Sequence, residues 1–148
     1  MGLSPHQVLS QLAEQERDRI QTSLLELERQ RMLLEQKSNG LKEHGQQLMQ
    51  ERDQLLQESS TKASMLMMLG EAMQEQYIRL MQVGQGLDEV KEKESALRKV
   101  WIVANQKCEI HEKMQKKVEK QETRKKEHRT QQQMDDVFSA RYAREVKH

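Results

Sequence analysis

Residues 20–56 read IQTSLLELERQRMLLEQKSNGLKEHGQQLMQERDQLL. An apolar side chain recurs every seven residues, at Ile20, Leu27, Leu34, Leu41, Leu48 and Leu55, and Ala13 carries the row one step upstream. A seven-residue period marks a left-handed coiled coil, because 3.5 residues per turn keep one seam facing a partner helix. The second seam position is half polar: Leu24 is followed by Arg31, Ser38, Gly45 and Arg52. A leucine zipper needs both positions apolar. The pattern therefore argues against a tight parallel homodimer and permits an antiparallel partner, or a groove that another protein fills. KSNG at 37–40 and Gly45 weaken helicity by about 1 kcal/mol per Gly relative to Ala, which predicts a bend or softness inside a helix spanning 5–58. Pro5 suits the first helical turn, with Ser4 as N-cap and Gln7 too early to complete a capping box.

Outward from this stretch, the composition agrees with long helices. Of 148 residues, 33% are charged and 34% apolar, with one Pro, six Gly and one Trp. A compact globular domain carries nearer half apolar residues and more turn formers. A long, narrow seam is expected rather than a spherical core. At 1.5 Å per residue, about 55 residues span about 80 Å, and such a rod encloses no pocket. The net charge of +1 points neither to nucleic acid nor to an acidic membrane. No apolar run reaches the roughly 18 residues of a membrane span. MGLSPHQVLSQ lacks the basic head and apolar run of a secretory signal, and a single cysteine, Cys108, fits a reducing cytoplasmic setting.

The middle block SMLMMLGEAMQEQYIRLM, residues 64–81, holds five of the ten methionines. ESSTKAS before it supplies N-cap candidates Ser59, Ser60 and Thr61. VGQG at 83–86 supplies a break and a turn after it, so a separate helix over 62–83 is expected. From 87 to 146 the apolar spacing of three, four and seven returns through Leu97, Val100, Trp101, Val103, Ala104, Cys108 and Ile110. Residues 119–133, EKQETRKKEHRTQQQ, contain nothing apolar, and MDDVFSARYAREV then places Met134, Val137, Phe138 and Tyr142 on one side of a last amphipathic piece. The expected fold is all-α: a single elongated domain over 1–148, a long antiparallel two-helix coiled coil or helical hairpin, with a shorter helix near the hairpin end.

Few constellations suggest chemistry. Cys108 and His111 could share a helix face, but a structural zinc site needs four ligands and His128 lies too far along the rod, so no metal is expected. GQG at 84–86 lacks the third glycine and the Lys-Ser/Thr of phosphate loops. No concave site exists to perturb a carboxylate, and neither catalysis nor a cofactor is expected. Residues 113–129 carry eight Lys or Arg. A solvated charged face is the plainer reading. A helix without an apolar face otherwise needs another protein around it, and the scarcity of aromatics argues against nucleic acid. Trp101 is a core filler or an exposed anchor. The methionine block is hairpin-end core or an adaptable binding surface.

The chain also resembles a known family, the flagellar type III export stalk proteins (FliJ), along essentially its whole length. The sharpest likeness is QQQMDDVFSARYAR at 131–144, preceded some thirty residues earlier by the lone seam Trp in ALRKVWIVANQ at 96–106. Departures are Asp136, where Glu is more usual, and the methionine-rich middle. The resemblance implies a non-catalytic antiparallel coiled coil similar to the central stalk of rotary ATP synthases, serving flagellum biogenesis and motility. It implies that the paired terminal ends enter a hexameric export ATPase, with ring contacts at Lys116, Lys117, Lys120, Arg124, Lys125, Lys126, Arg129, Met134, Asp135, Asp136 and Phe138. The far end would meet a membrane export gate protein or export chaperones through Met65, Met68, Leu69, Met73 and Tyr77. The expected protein is monomeric alone, cytoplasmic and peripherally associated with the inner-membrane export apparatus, without inserting in the membrane. The alternatives are an injectisome stalk of the same type and a generic scaffold or tether that homodimerises through Leu27–Leu55.

Overall fold

The computed structural model describes residues 2–58, 60 and 62–146. The protein is an all-α helical hairpin of two long helices, α1 (Pro5–Gln57) and α2 (Ala63–Val146), with no strand among the described residues. The contacts divide into two units, Arg19–Ile102 and Met1–Asp18 with Val103–His148.

α1 opens on a reciprocal cap. The Gln7 N–H donates to Ser4 Oγ at 3.2 Å and the Ser4 N–H donates to Gln7 Oε1 at 3.0 Å. This corrects the expectation for Gln7. Ser4 is the N-cap and Pro5 the first helical residue, so Gln7 is the third, the position a capping box requires. α2 starts differently: the Lys62 carbonyl accepts from the Met65 and Leu66 N–H groups. Of the expected caps, Ser60 lies in the turn, and Ser59 and Thr61 lie outside the described residues.

Within Arg19–Ile102 the helices run antiparallel. Arg31 Nε donates to Glu94 at 2.9 Å and, further along α1, Gln76 Nε2 donates to the Leu41 carbonyl at 2.6 Å. The α1 seam is the heptad row Ile20, Leu27, Leu34, Leu41, Leu48 and Leu55 with its half-polar companions; Leu48 and Ser38 are buried and Arg31 is half-buried. α2 answers with buried or half-buried residues at Leu66, Leu69, Met73, Gln76, Leu80, Val83, Leu87, Val90, Glu94, Leu97 and Trp101, in steps of three and four without interruption.

That continuity overturns the expected break at VGQG and, with it, the separate helix over 62–83. α2 is helical from 63 to 146 and none of the described residues has positive φ. Val83 is buried and Gly86 lies where a Cβ would touch Leu34 at 3.6 Å. Two glycines cost about 1 kcal/mol each in helix propensity, and burial of Val83 and Leu87 outweighs that, since packing of an apolar face supplies most helical stability in proteins. α1 is likewise helical through KSNG and Gly45. There the missing Cβ is used: one at Gly45 would lie 2.6 Å from Gln76 Nε2, the atom that reaches the Leu41 carbonyl. The row Leu27–Leu55 is turned inward on α2 of the same chain.

In the other unit, Ser10 and Ala13 of α1 and Ala104 and Cys108 of α2 are buried, and Arg17 Nη1 donates to Asn105 Oδ1 at 3.5 Å. Small side chains let the two helices approach. Burial pushes the Cys108 thiol above its ordinary range, an effect that nearby Arg17 opposes. The pairing ends with half-buried Val118. Residues 119–146 of α2 continue as helix with every residue exposed, so the terminal ends are not paired with one another. α1 has 53 residues and α2 has 84, and the shorter helix runs out first.

Candidate functional site

The candidate sites are helix faces. The first is the bare stretch 119–146 with the turn before it. Lys116, Lys117, Lys120, Arg124, Lys125, Lys126 and Arg129 are all exposed, and among the described residues none makes an ion pair. Thr123 and Thr130 donate back to the carbonyls of Glu119 and Lys126, both at 2.9 Å, so even the hydroxyls serve the helix itself. Further on, Met134, Val137, Phe138 and Tyr142 stand in solvent, Tyr142 at 71% exposure, beside exposed Asp135 and Asp136. A helix of this length with no partner has an apolar stripe that covers nothing of its own chain.

The second is the methionine block. The structure separates its residues. Leu69 is buried and Leu66 and Met73 half-buried in the seam, while Met65, Met67, Met68 and Tyr77 face outward. An open groove of about 550 Å³ lies here, lined by Leu48, Leu55, Met65, Met68, Leu69 and Ala72. The block is therefore core on one side and exposed surface on the other, as the heptad phase dictates. Five residues expected to share a surface, Met65, Met68, Leu69, Met73 and Tyr77, do not; Leu69 and Met73 belong to the seam.

The seam carries one polar cluster. Glu94, with its side chain 5% exposed, accepts from Arg31 at 2.9 Å and from Arg98 at 3.2 Å, while Arg31 also donates to Glu35 at 3.1 Å. Both acids raise the Arg31 pKa. A carboxylate held by two guanidiniums, one of them across the seam, fixes the register of the two helices. Trp101 sits half-buried at a seam position, its Nε1 buried without a hydrogen-bond partner. It acts as a filler beside Leu24 and Leu25 rather than as an exposed anchor. Cys108 and His111 hold consecutive seam positions, and among the described residues no three His, Cys, Asp or Glu are grouped to hold a metal. No helix among them is long and apolar enough to cross a membrane.

Sequence reasoning missed the Glu94 cluster and the Gln76–Leu41 bond, both at polar seam positions. The signal was present: steps of three and four through Met73, Gln76, Leu80, Val83, Leu87, Val90, Glu94 and Leu97 place both in register. Comparison of the chain with protein-family models, with curated proteins and with solved structures finds no match.

Proposed function

We propose that the chain is a non-catalytic stalk of a flagellar type III export apparatus, which enters a hexameric export ATPase, promotes its activity and couples it to the membrane export gate. What carries the reading is the bare end of α2: 28 consecutive exposed helical residues, rich in Lys and Arg, that outrun α1. An unpartnered charged helix of that length is stable where a ring of protein surrounds it, and its cations match an acidic lumen by electrostatic complementarity. The likeness of Trp101 and of MDD at 134–136 to the stalk family supports the same reading. The exposed methionines Met65, Met67 and Met68, close to the turn, suit an adaptable contact with the gate or with an export chaperone. The chain works as a cytoplasmic protein held at the membrane by these partners.

The test is stimulation of the cognate ATPase. Reversing Lys120, Arg124 and Lys125 to Glu is expected to abolish stimulation at physiological salt with helical content unchanged. Full stimulation by that variant would remove the basic face from the contact.

A further inference from the structure

The bare end of α2 is complementary to α2 itself. In residues 103–118, each seam position of α2 (104, 108, 111, 115, 118) is preceded by an exposed neighbour: Val103, Lys107, Ile110, Met114 and Lys117. The same holds in α1, where Leu9 and Leu12 precede Ser10 and Ala13. Residues that follow seam positions line the opposite flank: Glu14, Asp18 and Glu112 are, with the seam residue Arg17, the charges that act on Cys108. Like flanks meet in an antiparallel pair, so Leu9, Leu12, Ile110 and Met114 share one side of the two-helix region. All four are between 45% and 57% exposed. Continued down α2 in steps of three and four, the same row reaches Gln121, Arg124, His128, Gln131, Asp135, Phe138, Tyr142 and Glu145.

We infer that this row pairs antiparallel with the same row of a second copy, about a two-fold axis near residue 126. In that register Ile110 meets Tyr142, Met114 meets Phe138, Lys107 meets Glu145 and Lys117 meets Asp135. Gln121 meets Gln131, and Arg124 meets His128 beside the axis. The symmetry makes each contact occur twice, as an isologous interface requires. Leu12 and Leu9 flank the first two apolar layers and complete a cluster at each end. Slipping one heptad sets Ile110 on Asp135 and Lys107 on Phe138; slipping the other way sets Met114 on Glu145 and Gln121 on Phe138. A parallel pairing sets Lys117 on Lys117 and Asp135 on Asp135. One register alone matches apolar with apolar and acid with base, which is how charged and apolar rows choose orientation in coiled coils. The contact goes beyond the stalk reading and does not rest on it. Because it covers Asp135 and Phe138, the dimer and a ring-bound chain exclude each other.

The test is sedimentation equilibrium of the full chain over a wide concentration range, with charge-swap variants. Lys117 and Asp135 are 18 residues apart on one helix, about 27 Å, so they cannot pair within a chain. The wild-type mass is expected to rise from one chain to two. Lys117→Asp or Asp135→Lys alone is expected to raise the dissociation constant about tenfold, and the two together to restore it to within about threefold. In a Cys108→Ala background, Met114→Cys with Phe138→Cys is expected to crosslink between chains, while Met114→Cys alone does not. A monomer at every concentration overturns the inference, as does a double swap that stays weak while circular dichroism shows all variants helical. A Met114→Cys self-crosslink overturns the antiparallel register.

Discussion

At Glu94 the seam holds a charge where heptad logic calls for an apolar side chain. It persists because Arg31 and Arg98 both reach it and Arg31 is held in turn by Glu35. Removing one member of a buried pair strands the other, whereas replacing both by apolar residues of similar volume is often neutral or better. Glu94→Ala is expected to destabilise by about 1–3 kcal/mol, and Arg31→Met with Glu94→Leu to be at least as stable as wild type in urea titration. A double variant weaker than Glu94→Ala would show that the charges contribute more than register. The methionine block separates at the same scale. Leu69 is 8% exposed and Met68 is 70% exposed. Leu69→Ala is expected to cost about 2 kcal/mol, the low end for a buried leucine because a two-helix seam leaves room to relax. Met65→Ala with Met68→Ala should change the thermal midpoint by no more than about 1–2 °C, since neither covers the seam. If both variants melt alike, the division of the block into seam and surface fails.

The helices themselves show how little local propensity decides once a seam is present. α2 contains Gly70, Gly84 and Gly86, and α1 contains Gly40 and Gly45, all helical without positive φ. Nothing lies within 4 Å of a Cβ built on Gly40, Gly70 or Gly84. Alanine at each is expected to stabilise by about 0.5–1 kcal/mol through propensity and a stiffer unfolded chain. Gly45→Ala should gain nothing, because the new Cβ displaces the Gln76 amide from the Leu41 carbonyl and the lost hydrogen bond offsets the propensity gain. Thermal melts of the four single variants check this ordering. A clear rise for Gly45→Ala would mean that the Gln76 bond contributes nothing. For the element as a whole, the heptad phase continues through residues 83–86 in Val83, Leu87 and Val90, while the two glycines locally favour a turn. Propensity is a local quantity of about 1 kcal/mol per residue, and the seam adds the burial of a row of side chains on each side of it.

At the scale of the molecule, the unequal helix lengths matter most. Deleting residues 119–148 removes 28 exposed helical residues that pack on nothing in their own chain. At concentrations where the full protein is a single chain, the truncated chain is expected to keep the thermal midpoint of the full protein while losing helical signal and, on the stalk reading, all stimulation of the ATPase. A fall of many degrees would reveal packing by the bare end. A cysteine at Val137 is likewise expected to find no intrachain mate at Ala13, since Val137 is exposed and Ala13 is buried. A boundary at VGQG implies two long segments of similar length whose ends meet; because the helix instead runs unbroken from 63 to 146, α2 extends past the start of α1 and the ends are unpaired.

The amino-acid sequence alone determined the fold class, since a seven-residue apolar row from Ala13 to Leu55 and its counterpart in α2 admit little besides paired helices. It also determined that residues 119–133 own no apolar face. Only the tertiary structure decided that the partner helix lies in the same chain, where the seam stops, and which methionines look inward. Those outcomes depend on register, and register is set by the sum of many weak contacts across two helices: a Gln76 amide on a carbonyl, a Glu94 between two arginines, an Arg17 on Asn105. Each of these residues, read along its own helix, is an ordinary polar or small side chain, and its role exists only once the second helix lies beside it.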